Sequence, residues 1–329
     1  MTEFRCPVVR VGPVEPHQNA DALEIVKVWG YPVVIRKGQF KPGDLAVYIP
    51  VDAIVPDLPE WGFLNGSRRV KAKKLRGVFS MGLLTEASSL LSEGDDATAF
   101  LGIEKYEPPV HSSTGGENEH CPHFFPTYTD IEGLRRWGAL LVDGEPVVVT
   151  EKLHGANGRW MWKGGRLWVG SRTCVKKDGD TIWWQVARRY DLPKRIEGRD
   201  VVLFGEVFGQ VQDLKYGHDR GAPCSMRVFD VFDLQRGAYM DWQDVVAFCS
   251  QVGLDHVPVL HEGPWSPTLM GLAEGESTLA THVREGFVVK PARERQALFS
   301  NVDPEGKERG SFQRVILKMV GQGYHLRKE

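Results

Sequence analysis

No stretch of this 329-residue chain approaches the roughly 18 consecutive apolar residues that cross a bilayer. Its opening residues, MTEFRCPVVR, lack the basic start and apolar middle of a secretory signal. The protein is therefore expected to be cytoplasmic, with no membrane partner. Cysteine is scarce: Cys6, Cys121, Cys174, Cys224 and Cys249 are odd in number and scattered, which suits reduced thiols better than a disulfide framework. Charge of one sign is lacking too. A net charge of -2 excludes a protein that coats nucleic acid over its whole surface and leaves local patches to decide where a phosphate backbone sits. Neither a GxxxxGK[ST] loop nor a GxGxxG turn occurs, so any nucleotide must be held by side chains on strands rather than by a helix N-terminus.

What is present, 42% hydrophobic and 26% charged residues, suits a soluble globular chain of two domains. The first hundred residues read as short strands, Val8 to Val11, Ile25 to Trp29, Tyr31 to Ile35, Leu45 to Pro50 and Arg69 to Lys73. Turn chemistry separates them at Lys37-Gly38, Lys41-Pro42-Gly43-Asp44 and Asn65-Gly66. Five strands in about a hundred residues fit an OB-fold β-barrel over 1–105, a fold whose open face and loops hold single strands or nucleic-acid backbones. In Arg68-Arg69-Val70-Lys71-Ala72-Lys73-Lys74-Leu75-Arg76, six of nine residues are cationic with apolar residues interleaved. That pattern is either a solvated strand face or a nucleic-acid contact surface.

From Tyr106 to Phe125 the pattern dissolves into Pro, Gly, Ser and polar residues, which places a linker at 106–126. His120, Cys121 and His123 lie close together there, but no second cysteine or distant ligand pair completes a metal-binding spacing. Over 127–329 a helix is expected from Asp130 to Trp137. Strands are expected at Pro146 to Glu151, Arg159 to Trp162, Arg166 to Gly170, Asp200 to Phe208, Arg227 to Asp233, Gly286 to Lys290 and Arg314 to Met319. Helices are expected at Ile182 to Tyr190, Trp242 to Gln251 and Thr268 to Glu274. Runs of strands without a regular βαβ alternation predict an α+β domain of antiparallel sheets carrying helices.

One apolar strand ends in Glu151-Lys152-Leu153-His154-Gly155-Ala156-Asn157. A lysine at a strand end can be a nucleophile if neighbouring cations depress its pKa, since an ammonium has no lone pair with which to attack phosphorus. Further along come Ser171-Arg172-Thr173, Leu203 to Gly209 with Glu206, Val228 to Asp233, Arg284-Glu285-Gly286-Phe287-Val288-Val289-Lys290-Pro291, and Val315-Ile316-Leu317-Lys318. In this order and spacing the series resembles the motifs of covalent nucleotidyltransferases: a KxxG nucleophile, an arginine motif, a strand glutamate, an aromatic motif, EGxVxK and a terminal lysine strand. EKLHGAN is similar to the nick-sealing RNA ligases related to phage T4's second RNA ligase, whereas DNA ligases and capping enzymes usually have aspartate where His154 stands. Lys37-Gly38 through Val51-Asp52, with Lys73-Lys74-Leu75-Arg76-Gly77, resembles the N-terminal OB domain of bacterial RNA ligases of the Deinococcus type.

The resemblance implies an OB-fold domain followed by an adenylyltransferase domain at 127–329, with ATP-grasp-like antiparallel sheets and ATP between them. It implies an ATP-dependent RNA ligase that joins 3′-hydroxyl and 5′-phosphate ends, at nicks in a duplex with an RNA 3′-hydroxyl end, and acts as a monomer. Lys152 would carry AMP. Lys290 and Lys318 would pair with the phosphates and help keep Lys152 neutral. Glu285 would bind Mg²⁺ or Mn²⁺, and Glu206 would bind the ribose or assist the metal. Phe229 or Phe232 would stack on adenine, and Phe229 is preferred because positions three apart on a regular strand face opposite ways. Arg172 and Asn157 would grip the 5′-phosphate, His154 would support the first step, and Glu151 would contact adenine. Relatives often end in KxK, whereas Val320 follows Lys318 at that spacing; Arg314 is an alternative source of the missing charge. Two other readings stay open: a DNA ligase or capping-type guanylyltransferase, which keeps the chemistry, and a non-catalytic RNA-binding module.

Overall fold

The computed structural model describes residues 4–64, 66–107, 116–216, 224–302 and 308–327. The N-terminal part is an OB-fold of short antiparallel pairings. Strand Leu45–Ile49 lies between Val8–Arg10 and Leu83–Glu86, and Leu23–Val28 lies between Val14–Pro16 and Tyr31–Arg36. Apolar alternation explains both groups: Val26, Val28, Val33 and Ile35 close one core with Phe40 and Tyr48, while Val8, Val47 and Ile49 close another with Trp61 and Leu64.

The strand expected at Arg69 to Lys73 is displaced along the chain. Val70 and Ala72 are buried without forming a ladder, and the strand is Lys73–Leu75, paired with Val78–Ser80. Arg76 and Gly77 form its two-residue turn, both at positive φ (46° and 92°), the conformation that matches the twist of a hairpin. His17 and Asn19 bond the Leu75 and Arg76 carbonyls, so the hairpin that carries exposed Lys73, Lys74 and Arg76 is tied down. Arg69 is committed to the protein: it pairs with Asp52 at 2.8 Å and lies 3.7 Å from the Tyr106 ring centre. The expected Asn65-Gly66 turn includes a residue outside those described.

The rest of the chain builds two facing sheets. A seven-stranded sheet runs in the order Asn118–Glu119, Val175–Lys176, Arg166–Ser171, Ala156–Lys163, Val201–Phe208, Ser225–Asp233, Ala238–Tyr239. A five-stranded sheet runs Glu132–Gly133, Leu317–Val320, Gly286–Pro291, Pro146–Lys152, Val259–Pro264, with only the first pair parallel. The stretch 116–126 is thus not a bare connection, because it supplies an edge strand and the buried Phe125. Helices Ile182–Arg189 and Trp242–Val252 pack on the outer face of the larger sheet. Trp242, Val245, Phe248, Cys249 and Val252 form one helical stripe, and Gly253 ends the helix in the left-handed region (φ 65°). The helix expected from Asp130 is shorter, Leu134–Trp137, and Pro267–Ala273 is a 3₁₀ helix. The expected strand from Arg314 to Met319 is two elements, Glu308–Arg314 and Leu317–Val320.

Side-chain alternation decides what faces the space between the sheets. Along Pro146–Lys152, Val147 and Val149 join an outer core with Phe287, Val289, Leu317 and Met319. Val148, Thr150 and Lys152 therefore point the other way, as do Val288, Lys290 and Lys318 on the neighbouring strands. Contacts at two places among the described residues join the OB-fold to this body. The Trp29-Gly30 turn receives Arg135 on the Gly30 carbonyl and Arg136 over the Trp29 ring, and Phe79 packs on His325.

Gly286 sits where the five-stranded sheet is tightest, opposite both Lys152 and Val320. Its φ is 153°, and a Cβ there would lie 2.0 Å from the Met319 carbonyl oxygen. Backbone cannot yield as a flexible side chain does. Gly286→Ala is expected to cost about 2 kcal/mol or more of stability, read by urea denaturation; an unchanged midpoint would refute this account of the strand.

Candidate active site

Between the sheets lies a crevice, open to solvent, lined by residues of both. One end is apolar, built by Ile131, Phe229, Val257, Val288 and Ile316. Lys152, Asn157 and Glu206 line the other. Glu206 and Asn157 are directly paired on adjacent strands and so share the inner face.

Lys152 Nζ donates to Glu285 Oε1 at 2.6 Å. Burial works against the ammonium, but Glu285 and then Glu206 outweigh it and raise the Lys152 pKa. This corrects the expectation of a lysine kept neutral by cations: in this state Glu285, hydrogen-bonded to it, favours the ammonium. Glu285 is lowered, because Lys152 overcomes the effect of burial. Glu206 is pushed up to about 8 by burial, opposed by Lys152 and assisted by the charge of Glu285. Lys318, which shares the inner face, is lowered by burial and by Lys152.

The other expected site residues fall into three groups. Glu151 lines the crevice with its carboxylate held by Ser277 Oγ at 2.5 Å and by Thr278 N and Oγ1 at 2.8 and 2.6 Å. Asn157 Oδ1 is buried without a hydrogen-bond partner among the described residues, an acceptor left for a ligand donor. Arg172 pairs with Asp130, and His154 is held between Asp213 and Tyr324.

Lys290 also lines the crevice, but its ammonium is engaged by Asp230 at 2.5 Å and Glu294 at 3.3 Å. Arg314 does not supply a missing phosphate charge: it is buried against Asp230 at 2.8 Å and also pairs with Glu294. These two cations hold the Asp230 pKa down despite its burial. Phe229 lines the crevice and Phe232 does not. The reason differs from the one expected, because the strand is irregular: Phe204 pairs with Asp230 and Gly205 with Val228, leaving Phe229 as the extra residue of a bulge. Asp230, Glu294, Tyr128, Asp213 and Tyr324 were not foreseen. Asp230 stood inside the aromatic motif, but no spacing signal pointed to the others.

The donor set suits a hard divalent cation. Glu285 Oε2 is buried and without a hydrogen-bond partner among the described residues, and Glu206 reaches the same lysine. Among the described residues no group of three or more His, Cys, Asp or Glu forms a metal cluster. A magnesium-type ion does not need one, since one or two carboxylates plus substrate phosphates and water complete its shell.

Asp230→Ala would leave Lys290 and Arg314 buried without their shared carboxylate. A loss of about 3–5 kcal/mol is expected in urea denaturation; a loss below 1 kcal/mol would show that the cluster is not structurally required. Glu206 gives a pH signature. Its folded pKa of about 8 lies above the ordinary 4.5, so its contribution to stability is complete below about pH 4.5 and is lost as pH rises to about 8. In metal- and nucleotide-free protein, Glu206→Gln should therefore gain stability relative to the parent across that interval. A pH-independent difference would contradict the raised pKa.

Comparison with known proteins agrees with this geometry. The chain superposes on Naegleria gruberi RNA ligase over 98% of its own length. A lysine-to-alanine variant of that protein with ATP and Mn gives a TM-score of 0.81 at 24% identity, covering 98% of that chain. The form with PPi gives 0.80 at 24% identity, again covering 98%. Another lysine variant with ATP and Mn gives 0.78 at 25% identity over 97% of that chain. No curated protein sequence matches the chain. An OB-fold domain profile matches residues 6–87. The profile of the RNA ligase family matches residues 145–320, more than half of the chain, and the chain belongs to that family.

Proposed function

We propose that the protein is an ATP-dependent RNA ligase that joins 3′-hydroxyl and 5′-phosphate ends at nicks in a duplex, through a lysyl-AMP on Lys152 and an adenylylated 5′ end. The observation that carries this reading is the placement of Lys152 on a crevice with a largely apolar lining, beside Glu285, Glu206 and Lys318. The similar Naegleria enzyme has been described with ATP and Mn, and this chain is proposed to use ATP with Mg²⁺ or Mn²⁺.

Phe229 and Val288 line the apolar end, where adenine stacks, and Glu151 lies at its edge. Lys152 Nζ attacks the α-phosphorus. The Lys152 ammonium first gives one proton to water; a nitrogen–phosphorus bond then forms, the bond to pyrophosphate breaks, and the second proton passes to water or the departing pyrophosphate. Lys318, half-buried and with a lowered pKa, sets its charge against the phosphates, while Lys290, its charge shared by Asp230 and Glu294, braces the crevice wall. Glu285, assisted by Glu206, would hold a divalent cation, whose chemistry there would be to neutralise phosphate charge and to offset the carboxylate charge that favours the Lys152 ammonium. Arg172 and Asn157 then hold the 5′-phosphate that accepts AMP, and the 3′-hydroxyl attacks with loss of AMP. Catalysis on this reading is positioning and charge neutralisation.

Residues 1–105 act as a binding module of the Deinococcus type and 127–329 as the adenylyltransferase, with 106–126 connecting them and adding an edge strand to the larger sheet. Lys73, Lys74 and Arg76 on their anchored hairpin provide phosphate contacts for the duplex. No helix among the described residues is long and apolar enough to cross a membrane. The free cysteines fit a cytoplasmic monomer.

Purified protein incubated with α-labelled ATP and Mg²⁺ should retain label through a denaturing gel, released by acid and not by base. Lys152→Ala should lose it completely, while labelled GTP should give little. Absence of label after pyrophosphate treatment, which strips any AMP already bound, would sink the ligase reading.

A further inference from the structure

Lys152 lies between two stretches of chain that are each tied down. Before it, the carboxylate of Glu151 is fully buried and both its oxygens are taken: Ser277 Oγ donates to Oε1 at 2.5 Å, and Thr278 N and Oγ1 donate to Oε2 at 2.8 and 2.6 Å. The Glu151 amide donates to the Pro258 carbonyl at 2.8 Å. After it, the His154 amide donates to the Tyr216 hydroxyl at 2.7 Å, and Gln212 Nε2 donates to the Gly155 carbonyl. Gly155 is pressed on strand Val201–Phe208, where a Cβ would lie 2.2 Å from the Val207 carbonyl oxygen.

The two ties meet each other. Ser277 and Thr278 belong to a closed turn in which the Ser277 amide donates to the His282 carbonyl at 2.9 Å, Glu276 pairs with Val283, and the Arg284 amide donates to the Gly275 carbonyl at 2.9 Å. The His282 ring of that turn lies edge-on to the Tyr216 ring, with centres 4.6 Å apart, and Phe208 packs on Tyr216 at 4.9 Å. A frame thus runs from Glu151 through Thr278 and His282 to Tyr216 and back to His154, with Lys152 inside it. Stability alone does not call for this arrangement. Burying a carboxylate is costly even when it is fully hydrogen-bonded, and an apolar side chain, as at Val147 and Val149 earlier on the same strand, fills such a place at less cost.

We propose that Tyr216 and the Ser277-Thr278 turn are positioning residues that fix the starting point of the Lys152 side chain by holding the backbone on either side of it, and that the Glu151 carboxylate is the tie to that turn rather than a contact for adenine. The proposal rests on the reading of Lys152 as the nucleophile. In the resting site Nζ is located by Glu285 at 2.6 Å. To attack, it must exchange that contact for the α-phosphorus, and from then on only the anchorage of its own Cα says where a long, flexible stem begins. A displacement of about 1 Å at that stage costs on the order of a hundredfold in rate. Segment 275–284, which carries no nucleotidyltransferase motif, acquires its part in the reaction in this way.

The test is single-turnover adenylylation of the full chain with α-labelled ATP over a range of ATP concentrations. Tyr216→Phe and Thr278→Val each remove one hydroxyl with little change of shape. Each should lower the maximal rate roughly tenfold, the scale of one lost hydrogen bond, and leave the half-saturating ATP concentration unchanged. Thr278→Ser, which keeps the hydroxyl, should restore the parental rate. Glu151→Gln should likewise lose rate and keep its half-saturation; a raised half-saturation at parental maximal rate would make Glu151 an adenine contact and overturn the proposal. Parental rates in both hydroxyl variants, or Thr278→Ser as slow as Thr278→Val, would overturn it too. Hydrogen exchange separates anchorage from general loosening. Exchange of the His154 amide should quicken in Tyr216→Phe while strand Gly286–Pro291 stays protected, and equal acceleration in both places would count against the frame. A parent that takes no label would overturn the proposed function instead, and the exchange comparison would still decide whether Tyr216 anchors the chain after Lys152.

Discussion

The contact on which the site depends is a 2.6 Å ion pair between residues 133 positions apart, Lys152 and Glu285. It exists because strands Pro146–Lys152 and Gly286–Pro291 pair antiparallel with Lys152 opposite Gly286, which brings the strand ends together. A one-residue slip of that register would turn Lys152 toward the outer core and Val149 toward the crevice. Val147, Val149, Phe287 and Val289 prevent the slip, since it would expose a fully buried row. Roughly 1.5–3 kcal/mol is at stake for each such side chain. The pair itself contributes far less, because desolvation of both charges offsets most of their attraction. Packing holds the chemistry in place, and the reverse does not apply.

Charge is divided along the crevice in a way that separates structure from reactivity. At the apolar end Asp230 and Glu294 balance Lys290 and Arg314, a closed set with Tyr128 also donating to Asp230 at 2.5 Å. At the open end Glu206 and Glu285 face Lys152 and Lys318, and there the balance is strained: Glu206 is raised and Lys318 lowered. A site poised in this way responds to an incoming cation or phosphate, whereas the closed set does not. The raised pKa of Lys152 belongs to the same logic. On the proposed reading its nucleophile is released when the carboxylates find another positive partner, which ties activation of the lysine to the arrival of metal and nucleotide.

Much of this was legible in the sequence because alternation and motif order are local properties. Strands bearing Lys152, Glu206 and Lys290 could be drawn within a residue and the one bearing Lys318 only in part, and the residues they carry do meet around one crevice. What escaped was whatever depends on a partner far along the chain. A lysine read alone looks available for phosphates; only the fold puts Asp230 beside Lys290. The sign of the Lys152 shift was misjudged for the same reason, since its cations were visible in the motifs and the geometry of its carboxylates was not. The bulge at Phe229 breaks the two-residue period on which the Phe229 or Phe232 choice rested. Arg69 was counted as a surface cation because Asp52 and Tyr106 approach it only after folding.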